Sequence, residues 1–324
     1  MRYRELVAQF GSAARAWDDA PALDGRADAL TAARAALERA ARCGARLVLL
    51  GDDEYPASLL DLPDPPPHLF AVGSLDMLRP PSVAIVGTRG ATPYGERVTR
   101  EIAAALARAG VSIVSGLARG IDGFAHRAAL EAGGRTVAVL GTGVDVAYPA
   151  SHRTLHAQIA TRGLLLSEEL PGDRASGGSF PKRNRVIAAL TQATIIVEAP
   201  YRSGALITAE HMLDLGRVVA AVPGPIDAPQ SVGSNELLRD GALAITSVAD
   251  ALALVGAAPP PRREPQLCTP AQRAVWEALE QGASDIDTLT TRAALPAREC
   301  LAAVTALELS GAVECALTGE IRRR

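Results

Sequence analysis

The sequence predicts an α/β protein whose core is a Rossmann-like, doubly wound and mostly parallel sheet, with a small helical N-terminal domain and a winged-helix C-terminal domain. Three observations within residues 82–246 predict the core. Short apolar runs without polar alternation are typical of parallel strands that are buried on both faces. Ala-rich segments of helix length separate these runs, as in repeated βαβ units. Each run ends in a loop rich in Gly, Ser and Thr, and ligands bind at that end of such a sheet.

Five apolar runs are the predicted core strands. They are Val83–Val86, Ser112–Ser115, Thr136–Leu140, Thr194–Val197 and Val218–Val222. In a parallel sheet the carboxyl ends of the strands meet at one edge. The loops that follow these strands are therefore expected to lie close together, although the sequence keeps them far apart.

The regions on either side of the core differ from it in composition. We expect a helical N-terminal domain over residues 1–50, because small apolar residues repeat there at helical spacing. The core then spans residues 51–255 and opens with a Pro-rich connector and a short edge strand at His68–Val72. A second Pro-rich stretch at residues 256–267 predicts a linker.

Residues 268–324 predict a winged-helix domain. Three helical patterns are followed by a short β-ribbon, and the patterns are Pro270–Glu280, Asp285–Thr291 and Pro296–Leu309. The third helix would read DNA in such a domain, but it carries one arginine and two glutamates. A helix that meets phosphates should be more basic. We therefore favour a docking or dimerisation module.

The composition of the chain excludes several classes of protein. Its 324 residues are 48% hydrophobic and 21% charged, and no apolar run is long enough to span a membrane. The four cysteines have no CxxC spacing, so we expect neither a zinc site nor a disulfide framework, and a cytoplasmic setting fits best. A net charge of −3 argues against a uniformly basic surface. Nucleic-acid binding is still possible, because it depends on local clusters of cations.

The motif Gly87–Gly90 follows the first core strand and precedes a helix predicted to begin near Pro93. Backbone N–H groups at such a turn attract an anion, and the guanidinium of Arg89 suits a phosphate. The dinucleotide fingerprint GxGxxG is absent, and Ser115 stands where an acidic residue would end the second strand. These differences argue against a nicotinamide-dependent enzyme.

The segment Phe180–Arg185 concentrates positive charge. Three cations surround Asn184, directly before a helix that we predict over Val186–Thr191. Cations at a helix N-terminus oppose the macrodipole, so we expect an anionic ligand to offset that cost. Phe180 adds an aromatic face on which a base could stack.

The sequence motifs that would indicate catalysis are incomplete. Ser179 and Lys182 have the SxxK spacing, but the SDN and KTG motifs are missing, and Pro181 is expected to break the required helix. His152 and His156 lie four residues apart without the Glu of HExxH.

Three acidic residues also lack the partners that a catalytic group requires. Asp122 at a predicted helix start is most simply a cap. Glu168 and Glu198 lie at strand ends, but no nucleophile or set of metal ligands accompanies them. We therefore expect no enzymatic activity, no catalytic residue, no metal site and no cofactor.

Eight groups of residues, in order and with matching spacing, together resemble one known family. They are Gly87–Arg89 with Tyr94–Gly95, Ser115–Asp122 with Ala125–His126, Gly141–Asp145 with Tyr148–Pro149, Phe180–Arg185, Val197–Ala199, Ser203–Ala209, Pro223–Gly224 and Gly233–Asn235. The chain resembles the DNA-processing protein DprA family, also called Smf, over about residues 51–249. A SAM-like N-terminal domain and a winged-helix C-terminal domain also occur in that family.

The resemblance implies a protein that binds single-stranded DNA, protects it and loads RecA onto it, in natural transformation and homologous recombination. It also implies that single-strand-binding protein is a partner, that the chain forms a homodimer, and that no membrane is involved. The residues expected to contact DNA are Thr88, Arg89, Ser115, Gly116, Arg119, Gly120, Gly141, Thr142, Gly143, Phe180, Lys182, Arg183, Asn184, Arg185, Ser203 and Gly204. Ala205 departs from the family pattern, which commonly has Ser at that position.

Two other functions remain open at this point. The core also resembles nucleoside-monophosphate phosphoribohydrolases, which would make the protein a nucleotide-processing enzyme. Their PGGxGTxxE motif is missing, because Pro223–Pro225 lacks the second glycine and the Thr and Glu that follow it. The other alternative is a winged-helix regulator whose core senses a nucleotide, and the acidic third helix argues against it.

Overall fold

The structure is a computed structural model, and it describes residues 9, 15, 17, 26–79, 81–175, 177–257, 267–282, 284–316 and 319–323. The chain divides into two compact units, Met1–Pro260 and Pro261–Arg324. Much of the helical domain predicted over residues 1–50 and most of the linker predicted over residues 256–267 lie outside the described residues.

A mostly parallel sheet forms the centre of the first unit, with the strand order β1-β2-β6-β5-β4-β3-β7-β8-β9. The strands are β1 (Arg46–Leu49), β2 (His68–Gly73), β3 (Ser82–Val86), β4 (Ser112–Ser115), β5 (Thr136–Leu140), β6 (Leu164–Ser167), β7 (Ala193–Ile196), β8 (Val218–Ala221) and β9 (Leu243–Ala244). Strands β3 to β9 pair in parallel. Beyond β6, strand β2 pairs antiparallel with β6, and β1 pairs antiparallel with β2. The predicted doubly wound, mostly parallel sheet is confirmed.

Helices cover both faces of this sheet. Those with bounds in the described part of the first unit are the α-helices α1 (Arg26–Arg42), α2 (Pro93–Arg108), α3 (Ile121–Glu131), α4 (Arg153–Arg162), α5 (Ser179–Ala189), α6 (Gly204–Asp214), α7 (Val232–Arg239) and α8 (Val248–Ala253). Val83 and Ile85 of β3 pack against residues of α2, α3 and α8 on one face. Ala84 and Val86 point to the other face, where α5 and α6 supply the packing. Burial on both faces explains the unbroken apolar runs in the sequence.

The edge strand predicted at His68–Val72 is wrong in its position within the sheet. Strand β2 lies between β1 and β6, and β1 is the edge. Only Val48 of β1 is buried. A four-residue strand with one buried side chain, directly after a helix, gives no alternating pattern that a sequence analysis could detect. Residues 46–49 therefore belong to the sheet.

The strand order reverses at β3, which has β4 on one side and β7 on the other. The connection from β3 to β4 passes through α2, and the chain reaches β7 only after it has formed β5 and β6. Loops that leave β3 and β7 in opposite directions leave a crevice between them, which is where open α/β sheets bind ligands.

Three α-helices and an antiparallel β-ribbon are found in the described part of the second unit. They are α9 (Pro270–Ala278), α10 (Ile286–Ala293), α11 (Ala297–Leu309), β10 (Val313–Cys315) and β11 (Ile321–Arg323). The predicted start of the first of these helices is confirmed, because Thr269 caps α9 through the Gln272 N–H and Pro270 occupies the first turn. Within the described chain, no helix has both the length and the apolarity that crossing a bilayer requires.

Candidate functional site

Two cavities share a wall at the carboxyl end of the sheet. The smaller has a volume of about 420 Å³ and the larger about 1010 Å³. Arg89, Ala118, Phe180 and Arg183 line both. We call the two cavities together the cleft. It lies at the reversal of strand order, as predicted for a doubly wound sheet.

The loop after β3 is held against the loop after β7. The Thr88 N–H donates to the Glu198 carbonyl at 2.7 Å. The buried Glu198 carboxylate accepts from the Thr92 N–H at 2.9 Å and from the Thr92 hydroxyl. A Cβ on Gly95 would lie 2.3 Å from a Glu198 carboxylate oxygen, so this position requires glycine. Glu198 therefore fixes the start of α2.

The loop after β4 adopts a conformation that its neighbours enforce. Leu117 is fully buried and has a φ of 56°, in the left-handed region that residues with a side chain rarely adopt. Its carbonyl lies 3.1 Å from His152 Nδ1. The Asp122 carboxylate accepts from the N–H groups of Gly116 at 3.0 Å and Ala118 at 3.4 Å. The prediction that Asp122 is a helix cap is thus wrong in its detail: Gly120 is the N-cap of α3, and Asp122 tethers the preceding loop.

Arg183 holds the same loop from the other side. Its side chain is buried, with Nη1 donating to the Gly116 carbonyl at 2.8 Å and to the Val139 carbonyl. Burial lowers the pKa of Arg183 to about 10, so the guanidinium remains charged at neutral pH. Burial raises the pKa of Asp122, and the charge of Arg183 opposes that rise. Arg183 therefore places a positive charge in the cleft wall and fixes the backbone around Gly116.

Two aromatic rings and an arginine form one side of the cleft. The rings of Tyr148 and Phe180 have centroids 5.3 Å apart, and the planes are tilted by 34°. The guanidinium carbon of Arg89 lies 5.3 Å from the centroid of Phe180. The predicted aromatic face thus carries a cation, and such a surface suits a base attached to a phosphate.

The helix that carries Phe180 begins earlier than predicted. Helix α5 spans Ser179–Ala189, whereas the sequence predicted a helix over Val186–Thr191. Pro181 lies in the first turn, where the backbone N–H groups have no intrahelical partner, so a proline there breaks nothing. The expectation that Pro181 breaks this helix is therefore wrong. Because the basic segment is helical, its side chains point in different directions.

The cations of that segment do not all face the cleft. Arg185 pairs with Glu168 at 2.5 Å and donates to the Asp64 carbonyl at 2.9 Å. Burial raises the pKa of Glu168, and the charges of Arg185 and Lys182 oppose the rise. Lys182 is exposed, and its charge also contributes to the lowered pKa of His68, which burial chiefly causes. Glu168 is thus the partner of Arg185, and neither Arg185 nor Lys182 lines the cleft.

The other residues predicted to bind DNA divide into two groups. Those that line the cleft, together with Arg89, Phe180 and Arg183, are Thr88, Gly116, Arg119, Thr142, Asn184, Ser203 and Gly204. Those that do not line it, besides Lys182 and Arg185, are Ser115, Gly120, Gly141 and Gly143.

Ser115, Gly120 and Gly143 of the second group contact the core or neighbouring loops and do not line the cleft. The Ser115 hydroxyl donates to the Ile85 carbonyl at 2.7 Å, inside the core. Gly120 has a φ of 73°, and a Cβ there would lie 2.3 Å from the Thr88 carbonyl oxygen. A Cβ on Gly143 would lie 2.5 Å from the Leu170 carbonyl oxygen. These residues are needed for close packing of the loops.

Residues of the cleft that were not among the predicted contacts include Ala118, Asp122, Tyr148 and Arg174. Tyr148 belongs to a motif of the family resemblance. Arg174 lies in a Gly- and Ser-rich loop between β6 and α5, and its position after a strand was the available signal. In the described part of the chain, Arg89, Arg119 and Arg174 are exposed and have no carboxylate oxygen within 4.0 Å.

The histidines near the cleft are structural. His156 contacts the Val144 carbonyl at 2.9 Å. His126 is fully buried, with Nδ1 2.7 Å from the Thr136 hydroxyl oxygen. Burial lowers the pKa of His126 to about 3, so it is neutral at physiological pH. Among the residues that the structure describes, no group of His, Cys, Asp and Glu could hold a metal ion.

These features define a class: an α/β protein with an arginine-lined cleft at the reversal point of its sheet. A family model described as DNA recombination-mediator protein A matches residues 46–256, and a DprA winged helix domain model matches residues 257–316. The chain belongs to the DprA family. The winged-helix prediction for the second unit is thereby confirmed.

Relatives with similar sequences support this assignment. A putative DNA processing protein DprA of Mycobacterium tuberculosis is 42% identical over 88% of this chain and 80% of its own length. Protein Smf of Escherichia coli is 37% identical over 86% of this chain and 77% of its own length.

Two solved structures resemble this chain over about two thirds of its length. DprA of Streptococcus pneumoniae is 43% identical, with a TM-score of 0.63, and the match covers 64% of this chain and 74% of that one. DNA processing protein A of Helicobacter pylori, reported for its single-stranded DNA binding mode, is 33% identical with a TM-score of 0.60, over 66% of this chain and 98% of that one.

Proposed function

We propose that this protein binds single-stranded DNA in the cleft, without chemical change to the DNA. The observation that carries the proposal is the set of arginines in the cleft wall, with Arg89, Arg119 and Arg174 exposed around the buried Arg183. Each exposed guanidinium offers a fork of donors that suits a phosphate. The reported single-stranded DNA binding of the Helicobacter pylori relative supports the same ligand.

The shape of the cleft favours a single strand. The glycine-rich loops allow a backbone to approach closely, and the Tyr148–Phe180 ring pair offers a stacking surface beside Arg89. Bases of a duplex are already stacked on each other, whereas those of a single strand are free to stack on protein rings. Phosphate contacts position a strand without reading its sequence, so we expect little base specificity.

The arrangement of the carboxylates supports a protein without enzymatic activity. Asp122 accepts two backbone N–H groups, and Glu198 caps α2 through Thr92. A general base must reach the proton that it removes. Glu198 uses both carboxylate oxygens to hold Thr92, and Asp122 holds its loop through Oδ2, so both carboxylates have a role in the fold, which counts against the phosphoribohydrolase-like alternative.

The biological role follows from family membership. We propose that the protein protects incoming or recombining single strands and loads RecA onto them, in natural transformation and homologous recombination. Single-strand-binding protein would be a further partner, and the protein would act as a homodimer in the cytoplasm.

One experiment separates binding from catalysis. The purified protein is incubated with labelled oligo-dT and, separately, with AMP. We expect a gel shift of the oligonucleotide and no release of adenine. Adenine release that exceeds the buffer control would overturn the non-enzymatic proposal, and the lack of any shift would overturn the DNA-binding proposal.

A further inference from the structure

A turn at the end of β7 presents a tyrosine and an arginine beside the cleft. The Ser203 N–H donates to the Pro200 carbonyl at 3.1 Å and closes a four-residue turn. Pro200 and Ser203 both line the 420 Å³ cavity. The two residues between them, Tyr201 and Arg202, therefore lie at the rim of that cavity.

The backbone of this turn is strained. Arg202 has a φ of 57°, at the third position of a turn where glycine is favoured. A residue with a Cβ pays free energy to adopt this conformation. Strain of this kind persists where the surrounding structure or a function requires it.

The strained arginine contacts its neighbour. The guanidinium carbon of Arg202 lies 5.1 Å from the centroid of the Tyr201 ring. Tyr201 is 62% exposed, more than any other tyrosine that the structure describes. A single exposed aromatic residue needs no explanation. An exposed ring that a strained arginine covers, at the rim of a cationic cavity, is a surface suited to a nucleotide.

We propose that the Tyr201–Arg202 turn is a second stacking subsite for single-stranded DNA, an inference that rests on the function proposed above. Tyr201 stacks on a base, and Arg202 contacts the adjoining phosphate. The same strand places its other phosphates on the arginines of the cleft and another base near the Tyr148–Phe180 ring pair.

The sheet topology determines how far the Tyr148–Phe180 ring pair lies from Tyr201. Tyr148 follows β5 and Tyr201 follows β7, and the sheet order between them is β5-β4-β3-β7. Three inter-strand spacings of about 4.8 Å place the ends of β5 and β7 roughly 14 Å apart. A strand that reaches from the Tyr148–Phe180 ring pair to Tyr201 therefore spans several nucleotides, and an oligonucleotide too short to span this distance occupies only one of the two surfaces.

The test measures the affinity for labelled oligo-dT from about 4 to about 16 nucleotides in length by fluorescence anisotropy. The variants are Tyr201→Ala, Tyr201→Phe and Arg202→Gly. The control is Leu60→Ala, which removes an apolar side chain of similar exposure (51%) from the 3-10 helix Ala57–Asp61. Loss of one stacked base weakens binding about 5- to 150-fold.

We expect Tyr201→Ala to weaken binding of the long oligonucleotides by that factor, and Tyr201→Phe and Leu60→Ala to bind like wild type. Arg202→Gly should melt about 2–4 °C higher because the strain is relieved, yet bind more weakly. Wild-type affinity of Tyr201→Ala at every length would overturn the subsite. If wild type and Arg89→Ala bind alike, the function proposed above fails instead, so the two failures are distinguishable.

Discussion

Replacement of Arg183 should damage the fold as well as DNA binding. Its Nη1 donates to the carbonyls of Gly116 and Val139, and a Cβ on Gly116 would lie 2.4 Å from its Nη2. The guanidinium thus fills the space over Gly116 and ties the loop after β4 to the end of β5. In Arg183→Ala, both buried carbonyls lose this donor.

The magnitude follows from those two hydrogen bonds. A buried polar group left without its partner costs about 1–3 kcal/mol, so the pair costs about 2–6 kcal/mol. In a domain of this size, each kcal/mol lowers the melting temperature by about 2–4 °C. Arg183→Ala should therefore melt about 4–24 °C below wild type. Arg89→Ala, which removes an exposed side chain, should stay within about 0.5 kcal/mol of wild type.

The assay combines thermal unfolding, followed by circular dichroism, with titration of labelled oligo-dT. We expect weaker DNA binding in both variants and lower stability only in Arg183→Ala. Arg183→Lys keeps the charge without the fork of donors and should lie between wild type and Arg183→Ala in stability. If Arg183→Ala unfolds at the wild-type temperature, Arg183 does not hold the loop, and the assignment is refuted.

Three further predictions concern other parts of the chain. Arg185→Ala leaves Glu168, whose side chain is 8% exposed, without its ion-pair partner, so urea unfolding should show a loss of about 1–3 kcal/mol. Its oligo-dT affinity should stay unchanged, and a large drop in affinity would contradict the placement of Arg185 outside the cleft. Because the pKa of His126 falls from 6.5 to about 3 on folding, the unfolded chain binds the extra proton and stability decreases as the pH drops below 6.5. Between pH 7 and pH 5 wild type should lose about 2 kcal/mol more than His126→Gln, and equal losses in urea unfolding would contradict a neutral His126 in the fold. A chain that ends at residue 258 should fold and bind oligo-dT almost as tightly as the full chain, since the cleft lies within the first unit; a large loss of affinity in a folded truncation would assign single-strand binding to the second unit.

The fold was predictable where burial leaves a pattern in the sequence. Strands buried on both faces gave unbroken apolar runs, and all five were found within one or two residues of their predicted bounds. Strand β1 left no such pattern, because Val48 is its single buried residue. Its detection would have required knowledge of the sheet that it joins.

The site was predictable in its location and less so in its details. The loops after β3, β4, β5 and β7 converge, as a parallel sheet requires. Which cations face the cleft depends on the register of α5, and this helix begins at Ser179, seven residues before the predicted start at Val186. Helical spacing then separates Arg183, which faces the cleft, from Arg185, which faces Glu168. The partners of a buried arginine cannot be derived from local sequence, because the Gly116 and Val139 carbonyls are distant along the chain.

The most direct test of the central claim is the salt dependence of single-strand binding. Each phosphate that the protein neutralises on a single strand contributes about −0.7 to the slope of log K against log salt concentration. If the cleft arginines bind the DNA backbone, Arg89→Ala should reduce the magnitude of the wild-type slope by about 0.7, and Arg185→Ala should leave it unchanged. An unchanged slope and affinity in Arg89→Ala would contradict the claim that the cleft holds the phosphates of single-stranded DNA.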